Sequence, residues 1–208
     1  MSIIRALRSA PAASFTGAVA LACALASPSG GCAKYDQLIA ADQGCEQAWA
    51  DVEAQLQRRY DLIPNLVSTV KASAKHEEDT LLAVANARSQ AAQIKMTSED
   101  LQDPEKMAAF QKAQDQLKGS LSRLMMVQEK YPDLKANAAF HDLQVQLEGT
   151  ENRILRSREE YNKAVGFYNT ELGKVGGIAI NKITGKSFKP RLYFKASAEV
   201  QAAPKVTF

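Results

Sequence analysis

The chain has 208 residues, of which 46% are hydrophobic and 24% are charged. This length and composition fit one globular domain with a sizeable core and exclude a disordered chain. The formal net charge is +3; without Arg5 and Arg8, which lie in a segment typical of targeting peptides, 24 basic side chains face 23 acidic ones. A nearly neutral chain without a basic cluster offers no electrostatic surface for nucleic acid, so we expect no nucleic-acid partner.

Residues 1–31 are typical of a bacterial lipoprotein signal peptide. Two arginines precede an uncharged, alanine-rich run at 13–26, which is short for a membrane span but suits a secretory hydrophobic region. SPSGGC follows, so small residues lead directly to Cys32. Ser29 departs from the usual pattern, which has a branched aliphatic residue three positions before the cysteine. Three interpretations stay open: cleavage before Cys32 with its acylation, cleavage after Ala26, and an uncleaved anchor.

The first interpretation makes Cys32 a lipidation site, and two or more acyl chains bind a bilayer stably. We then expect a bacterial membrane as a partner and a domain that lies outside the cytoplasm, on the periplasmic face. Cys23 leaves with the signal peptide, so Cys45 is the one remaining free thiol and no internal disulfide is expected. The place of Cys45 in an apolar stripe predicts a small buried hydrophobic residue.

Apolar side chains recur at spacings of three and four between residues 33 and 172, near the 3.5-residue repeat of coiled-coil packing. We predict four helices at about 34–62, 64–96, 104–130 and 133–172. Their stripes contain Leu38, Cys45, Trp49, Val52 and Leu56; Leu66 or Val67, Val70, Ala74, Leu81, Val84 and Ala91; Met107, Phe110, Leu117, Leu121 and Leu124; and Phe140, Leu143, Leu147, Ile154, Tyr161, Val165, Tyr168 and Leu172.

Four amphipathic helices with short joints predict an all-α fold, an elongated antiparallel up-and-down four-helix bundle. After Leu172 the helical repeat stops and glycines appear. We expect an extended tail over 173–208 with a flexible last part. Tyr193 and Phe194 are the candidates for pinning this tail to the bundle.

Proline marks three joints between these helices. Pro64 lacks the N–H that a helix interior needs, which favours a boundary at DLIPN (61–65) with Asp61 as a cap. A continuous helix kinked at Pro64 is the alternative interpretation. TSEDLQDPEK at 97–106 and KYPDL at 130–134 each place aspartate beside proline, as helix starts often do.

The sequence shows no recognisable catalytic or metal-binding set. His76 and His141 lack the glutamate three residues earlier that a di-metal bundle site needs, and neither CxxC nor HExxH occurs. Gly185, Lys186 and Ser187 lack the preceding glycine-rich run of a phosphate loop. We therefore expect no enzyme activity, no cofactor and no metal.

Charged side chains interrupt the apolar stripes. Heptad steps from Val52, Val70 and Leu81 land on charges, and two more flank the stripe of the fourth helix. A matched ion pair in a bundle roughly breaks even whereas an unpaired charge is strongly unfavourable, so we expect these groups to meet across helices and fix register. The alternatives are a pocket that binds a ligand or partner, and exposure at the bundle ends. The candidate polar-core or partner-binding residues are Arg59, Asp61, Glu77, Arg88, Glu151 and Arg158.

Two stretches resemble the LemA family: AWADVEAQLQRRYDLIPNLVSTVKASAKHE at 48–77 and YPDLKANAAFHDLQVQLEGTENRILRSREEYNKAVGFYN at 131–169. Their order and spacing match over nearly all of 33–194. The positions at which the family is similar are Arg59, Asp61, Pro64, Asn65, Lys71, Glu77, Pro132, Asn137, Glu151, Asn152, Arg158, Tyr161 and Asn162.

This resemblance implies a membrane-associated bacterial protein with an antiparallel four-helix bundle outside the cytoplasm. It also implies an N-terminal anchor, typically a transmembrane helix, and the short hydrophobic segment ending at Cys32 departs from that. The family brings no established catalytic residues. Its genes often neighbour those of membrane metalloproteases or other envelope proteins, which suggests adaptor work with an envelope partner. We expect a membrane-anchored interaction or scaffold module; a small-ligand or ion-binding bundle is the alternative.

Overall fold

The computed structural model describes residues 29–174, 178 and 188–195, with side chains from residue 33 onward. Over these residues the chain is all-α, and none of them forms a strand. Most of the predicted signal peptide lies outside the described residues. Cys32 falls in the first turn of the first helix, and its lipidation stays a prediction.

Within the described ranges, four long helices make up the body of the molecule. Helix α1 spans Ser29–Ser73, α2 spans Glu78–Gln93, α3 spans Pro104–Met126, the single turn α4 spans Pro132–Lys135, and α5 spans Ala138–Gly173. Short 3₁₀ helices at Asp100–Gln102 and Val127–Glu129 flank α3. The long helices run antiparallel, with α1 packed on α5 and α2 packed on α3, and α1 also contacts α2. No helix in the part of the chain that the structure describes is long and apolar enough to cross a bilayer.

Helix α1 continues through Pro64, so the predicted helix boundary at 61–65 is wrong. Proline has no N–H to donate to the carbonyl four residues earlier, which here belongs to Tyr60. Arg88 of α2 supplies the missing donor: its Nε lies 2.9 Å from the Tyr60 carbonyl oxygen. Pro64 itself is exposed on the surface of α1. A tertiary contact thus compensates the hydrogen bond that the proline removes.

The remaining boundaries differ from prediction by smaller amounts. Asp61 lies inside α1 and accepts a hydrogen bond from Gln57 Nε2 at 2.7 Å instead of capping a helix. The chain turns at 74–77, and α2 ends at Gln93. Asp103 caps α3 as predicted, and its side chain accepts from the backbone N–H groups of Glu105 and Lys106. The fourth long helix starts at Ala138, not at 133, because Asn137 caps it through the N–H of Phe140 at 3.2 Å.

The predicted stripes form the core. Their members are buried, except that Val67 and Leu143 are partly exposed. At the centre Trp49 of α1 lies 5.4 Å from Phe110 of α3 and 5.4 Å from Tyr161 of α5, measured between ring centroids. Phe194 stacks on Trp49 at 5.7 Å with an interplanar angle of 16°. One aromatic cluster therefore joins α1, α3, α5 and the C-terminal segment 188–195.

Candidate functional site

A buried arginine lies at the centre of a polar network beside this aromatic cluster. Arg59 is only 2% exposed, and its Nη1 donates to Glu151 Oε1 at 3.0 Å. Its Nη2 donates to Gln114 Oε1, and Gln114 Nε2 lies 2.7 Å from the Tyr60 hydroxyl. That hydroxyl donates to the Ala91 carbonyl at 3.3 Å. The network links all four long helices, so it fixes their relative register.

A cavity of about 180 Å³ opens next to Arg59. The buried Nε of Arg59 has no hydrogen-bond partner among the described residues. A second cavity, of about 490 Å³, adjoins the first along the seam between α3 and α5, whose backbones do not pack closely. The two cavities share Lys118, Glu151 and Asn152 in their walls. The first is also lined by Val52, Leu56, Phe110, Gln111, Gln114, Asp115, Ile154, Leu155, Arg158 and Phe194, and the second by Leu121, Ser122, Met125, Gln144, Leu147 and Glu148.

Arg158 forms the outer side of the first cavity. Its guanidinium carbon lies 4.5 Å from the centroid of the Phe194 ring, a cation–π geometry. Its Nη2 donates to the Lys195 carbonyl at 3.1 Å. Burial and the neighbouring charge of Arg59 lower the pKa of Arg158, while Asp115 and Glu151 act in the opposite direction. Arginine still stays protonated, so the cavity combines cationic donors with carboxylate acceptors.

The structure brings together three of the six sequence-predicted site residues. Arg59, Glu151 and Arg158 line the first cavity, and the first two form the expected ion pair across helices. Asp61 is exposed on α1, and Arg88 donates a hydrogen bond to the Tyr60 carbonyl.

Glu77 lies apart from these residues, at the turn between α1 and α2. Its carboxylate accepts from the Tyr131 hydroxyl at 3.3 Å and the Thr80 hydroxyl at 3.4 Å. The ammonium of the exposed Lys130 lies 4.0 Å away. Glu77 therefore fixes a turn and does not neutralise a buried arginine.

Two asparagines on α5, one heptad apart, hold the main chain of the segment 188–195. Asn162 donates from Nδ2 to the Phe194 carbonyl at 3.1 Å, and its Oδ1 accepts from the Phe194 N–H at 2.8 Å. Asn169 does the same for Arg191, with distances of 2.9 Å to the carbonyl and 3.0 Å from the N–H. Each amide thus satisfies both main-chain groups of one residue, as a neighbouring β-strand would. We call these two residues the asparagine clamp.

Two side chains of this segment are anchored in the body of the protein. Arg191 is 2% exposed; its Nε donates to Asp42 Oδ1 at 2.9 Å, and its Nη2 lies 3.3 Å from Glu46 Oε1. Burial opposes the charged form, but the hydrogen bond and charge of Asp42 outweigh it and raise the pKa of Arg191. Phe194 fills the aromatic cluster around Trp49. Tyr193, between these anchors, points outward and is 44% exposed.

Sequence reasoning missed the roles of Gln114, Asn169 and Arg191. Gln114 had a usable signal, because it follows Phe110 by four residues and precedes Leu117 by three, in the middle of an apolar stripe. Asn162 and Asn169 share one heptad position, but their function depends on a segment that passes beside them only in the folded chain. Arg191 carries no local signal, since its partner Asp42 lies 149 residues earlier.

The side chains that line the first cavity are mainly apolar, amide and charged groups. Its lining residues include guanidinium, ammonium, amide and carboxylate groups but no histidine, cysteine or serine in the first cavity. In the described part of the chain, no group of three or more His, Cys, Asp or Glu residues is placed to hold a metal ion. The arrangement suits hydrogen bonding to a small polar or anionic group.

Taken together, long antiparallel helices, a polar network across them and a C-terminal segment held by the asparagine clamp define an all-α protein built of long helices. A comparison with protein-family models matches residues 48–208 to the LemA family. The chain belongs to the LemA family. A comparison with curated proteins finds no match.

Proposed function

We propose that this chain is a membrane-anchored interaction or scaffold module of the bacterial cell envelope and not an enzyme. In this proposal the four long helices form an up-and-down bundle that stands outside the cytoplasm and holds an envelope partner protein. The observation that carries it is the engagement of the central polar groups with each other. Arg59 bonds Glu151 and Gln114, and Gln114 bonds Tyr60, so these groups are engaged in aligning the helices.

The anchor in this proposal is lipid on Cys32. Intact mass of the mature chain purified from membranes distinguishes the three interpretations. An acylated chain beginning at Cys32 supports the lipid anchor. A chain beginning at Ser27 contradicts membrane anchoring, and a full-length chain replaces the lipid with an uncleaved hydrophobic segment.

The partner proposal is tested by photo-crosslinking in intact cells. Photoreactive residues replace Leu82, Met126 or Leu155, which are large apolar side chains exposed on three different helices. A discrete protein adduct at one of these positions, absent when the probe replaces buried Leu124, supports the proposal. Adducts with lipid alone contradict it. A membrane metalloprotease is one envelope partner that such adducts would reveal.

A second candidate function is the binding of a small anion in the cavity. The specific observation is the unpartnered Nε of Arg59 in a residue that lines a space of about 180 Å³, which Arg158 also lines. A ligand that binds only the folded chain raises its unfolding temperature by mass action. A panel of carboxylates, phosphates and divalent metal ions would show such a shift for an anion, and Arg158→Gln would reduce it. The absence of any shift at saturating concentrations would remove this candidate.

A further inference from the structure

The segment 188–195 is bound as a peptide ligand is bound. Its main-chain hydrogen bonds run to other parts of the molecule: Lys189 C=O accepts from the Tyr168 hydroxyl at 3.0 Å, and Leu192 N–H donates to the Leu101 carbonyl at 3.0 Å. Together with the asparagine clamp, these contacts bind main-chain groups of a segment that has no regular secondary structure of its own. None of them depends on the identity of the bound side chains, so this part of the recognition accepts any extended segment.

Specificity comes from two side-chain sites that lie three residues apart along the bound segment. The first is the acidic site of Asp42 and Glu46, which takes the guanidinium of Arg191. Bidentate carboxylate recognition favours arginine over lysine. The second is the aromatic site of Trp49, Phe110 and Tyr161, which takes the ring of Phe194. Of the two residues between them, Leu192 is partly buried against the core, and Tyr193 is 44% exposed with its hydroxyl near Gly166.

Pro190 restricts the backbone of the bound segment. Pro190 precedes Arg191 and fixes its own φ near the extended region, and it also disfavours helix at Lys189. Its missing N–H leaves no donor unpaired. A segment held extended before binding loses less conformational entropy when it docks.

We propose that the asparagine clamp, the acidic site and the aromatic site together form a peptide-binding site for a partner chain, with residues 188–195 as its resident occupant. The partner segment is extended and carries an arginine and, three residues later, a large aromatic side chain. This inference rests on the adaptor function proposed above and deepens it by giving the chemistry of the partner. Binding in trans displaces the chain's own segment from the asparagine clamp, the acidic site and the aromatic site.

A tethered segment competes at an effective concentration on the order of millimolar, so the test uses full-length chains whose own segment is weakened. Arg191→Ala removes the contact with Asp42 while keeping Phe194 in the core. The probe is a fluorescent peptide with the sequence of residues 188–195, FKPRLYFK. We expect saturable binding to the Arg191→Ala chain, at least about tenfold tighter than to the unmodified chain. Equal or absent binding to both chains at millimolar peptide would overturn the proposal.

Matched controls distinguish specific from non-specific binding of the peptide. In the Arg191→Ala background, Asp42→Ala should weaken peptide binding at least about tenfold, since only the peptide, and not the resident segment, then has an arginine that bonds Asp42. Asn65→Ala, on the exposed surface of α1, should leave it unchanged. Peptides with glutamate in place of the arginine, or alanine in place of the last phenylalanine, should bind at least about tenfold more weakly. Equal binding of all peptides contradicts the proposal.

A second design guards against misfolding of the substituted chains. A protease site placed in 175–187 is cut after the full chain has folded, and the labelled peptide is then added. We expect it to exchange with the cut segment, with circular dichroism unchanged. Failure to exchange would overturn the peptide site but leave the adaptor function standing if crosslinking traps a partner elsewhere. Peptide exchange without any crosslinked partner would contradict the adaptor function but support the peptide-binding site.

Discussion

Arg59 shows how one buried charge depends on its neighbours. Its side chain is 3% exposed, whereas the side chain of Glu151 is 28% exposed. Breaking a fully buried pair by removing one partner destabilises by about 3–5 kcal/mol, because the other charge stays buried. The adjoining cavity lets water approach this arginine, so the loss here is smaller.

We therefore expect Glu151→Ala to lower the free energy of unfolding by about 2 kcal/mol. Urea denaturation followed by circular dichroism measures it. The control is Glu160→Ala, which breaks an exposed pair with Lys163 and should change stability by less than about 0.5 kcal/mol. Similar effects of the two substitutions would mean that Glu151 does not neutralise a buried charge.

Cys45 is a buried thiol whose ionisation is suppressed. Burial is the main cause and raises its pKa from an ordinary value of 9.0 to about 11, although the charge of Arg191 opposes it. The folded state thus holds the proton more tightly than the unfolded state does. The resulting stability is fully present below about pH 9 and is lost as the pH rises toward about 11.

The measurement is thiol labelling with a chromogenic disulfide reagent at pH 8, in a chain with Cys23 and Cys32 replaced by serine. Because the thiolate is the reactive form, we expect folded Cys45 to react at least about a hundredfold more slowly than the same chain in urea. Equal rates in the two conditions would show that the thiol is accessible and ionises normally.

At the scale of the elements, the continuity of α1 depends on α2. Proline in a helix interior removes a hydrogen bond, and Arg88 restores a donor to the Tyr60 carbonyl. Arg88→Ala should therefore destabilise the protein by about 1–2 kcal/mol. In a Pro64→Ala chain the alanine N–H donates to that carbonyl. There, Arg88→Ala should lower the free energy of unfolding by about 1 kcal/mol less than it does in the unmodified chain.

A double-mutant cycle on Pro64 and Arg88, measured by urea denaturation, gives this coupling free energy. Arg156→Ala, an exposed arginine on α5, is the matched control and should show no coupling to Pro64. Additive effects of Pro64→Ala and Arg88→Ala would contradict the compensation.

The helical stripes were predictable from the sequence because their apolar repeat is local. Asp103 and Pro104 also marked the start of α3 correctly, since a cap and its proline lie side by side. The helix boundary predicted at Pro64 was wrong because the lost hydrogen bond is replaced by one from Arg88, which lies 24 residues later in the chain and on another helix. The actual turn at 74–77 contains neither glycine nor proline.

At the scale of the whole molecule, segment 188–195 completes the core. Phe194→Ala removes a ring from the cluster around Trp49 and should destabilise the protein by about 3 kcal/mol. Trp49 is the single tryptophan of the chain, so its fluorescence should change in the same variant. Tyr193→Ala is the exposed control and should alter stability by less than about 0.5 kcal/mol. Equal losses for the two variants would show that Phe194 is not a core residue.

The candidate site was predictable only in part, because some of its contacts come from residues that are distant in the sequence. A heptad step from Val52 found Arg59, and Glu151 and Arg158 were found because they flank the apolar stripe of the fourth helix one heptad apart. The heptad pattern did not find the asparagine clamp, whose ligand has no helical repeat and reaches Asn162 from residues 32 positions later. A contact made by irregular chain leaves no periodic trace in the sequence.

The ion pair of Asp42 and Arg191 also sets an order of events during synthesis. These residues are separated by 149 positions, so the acidic site on α1 lacks this partner until Arg191 has left the ribosome. Closing so long a loop is entropically unfavourable and slows folding compared with helical proteins built on neighbouring contacts. A segment made long after the first helix thus locks that helix in place.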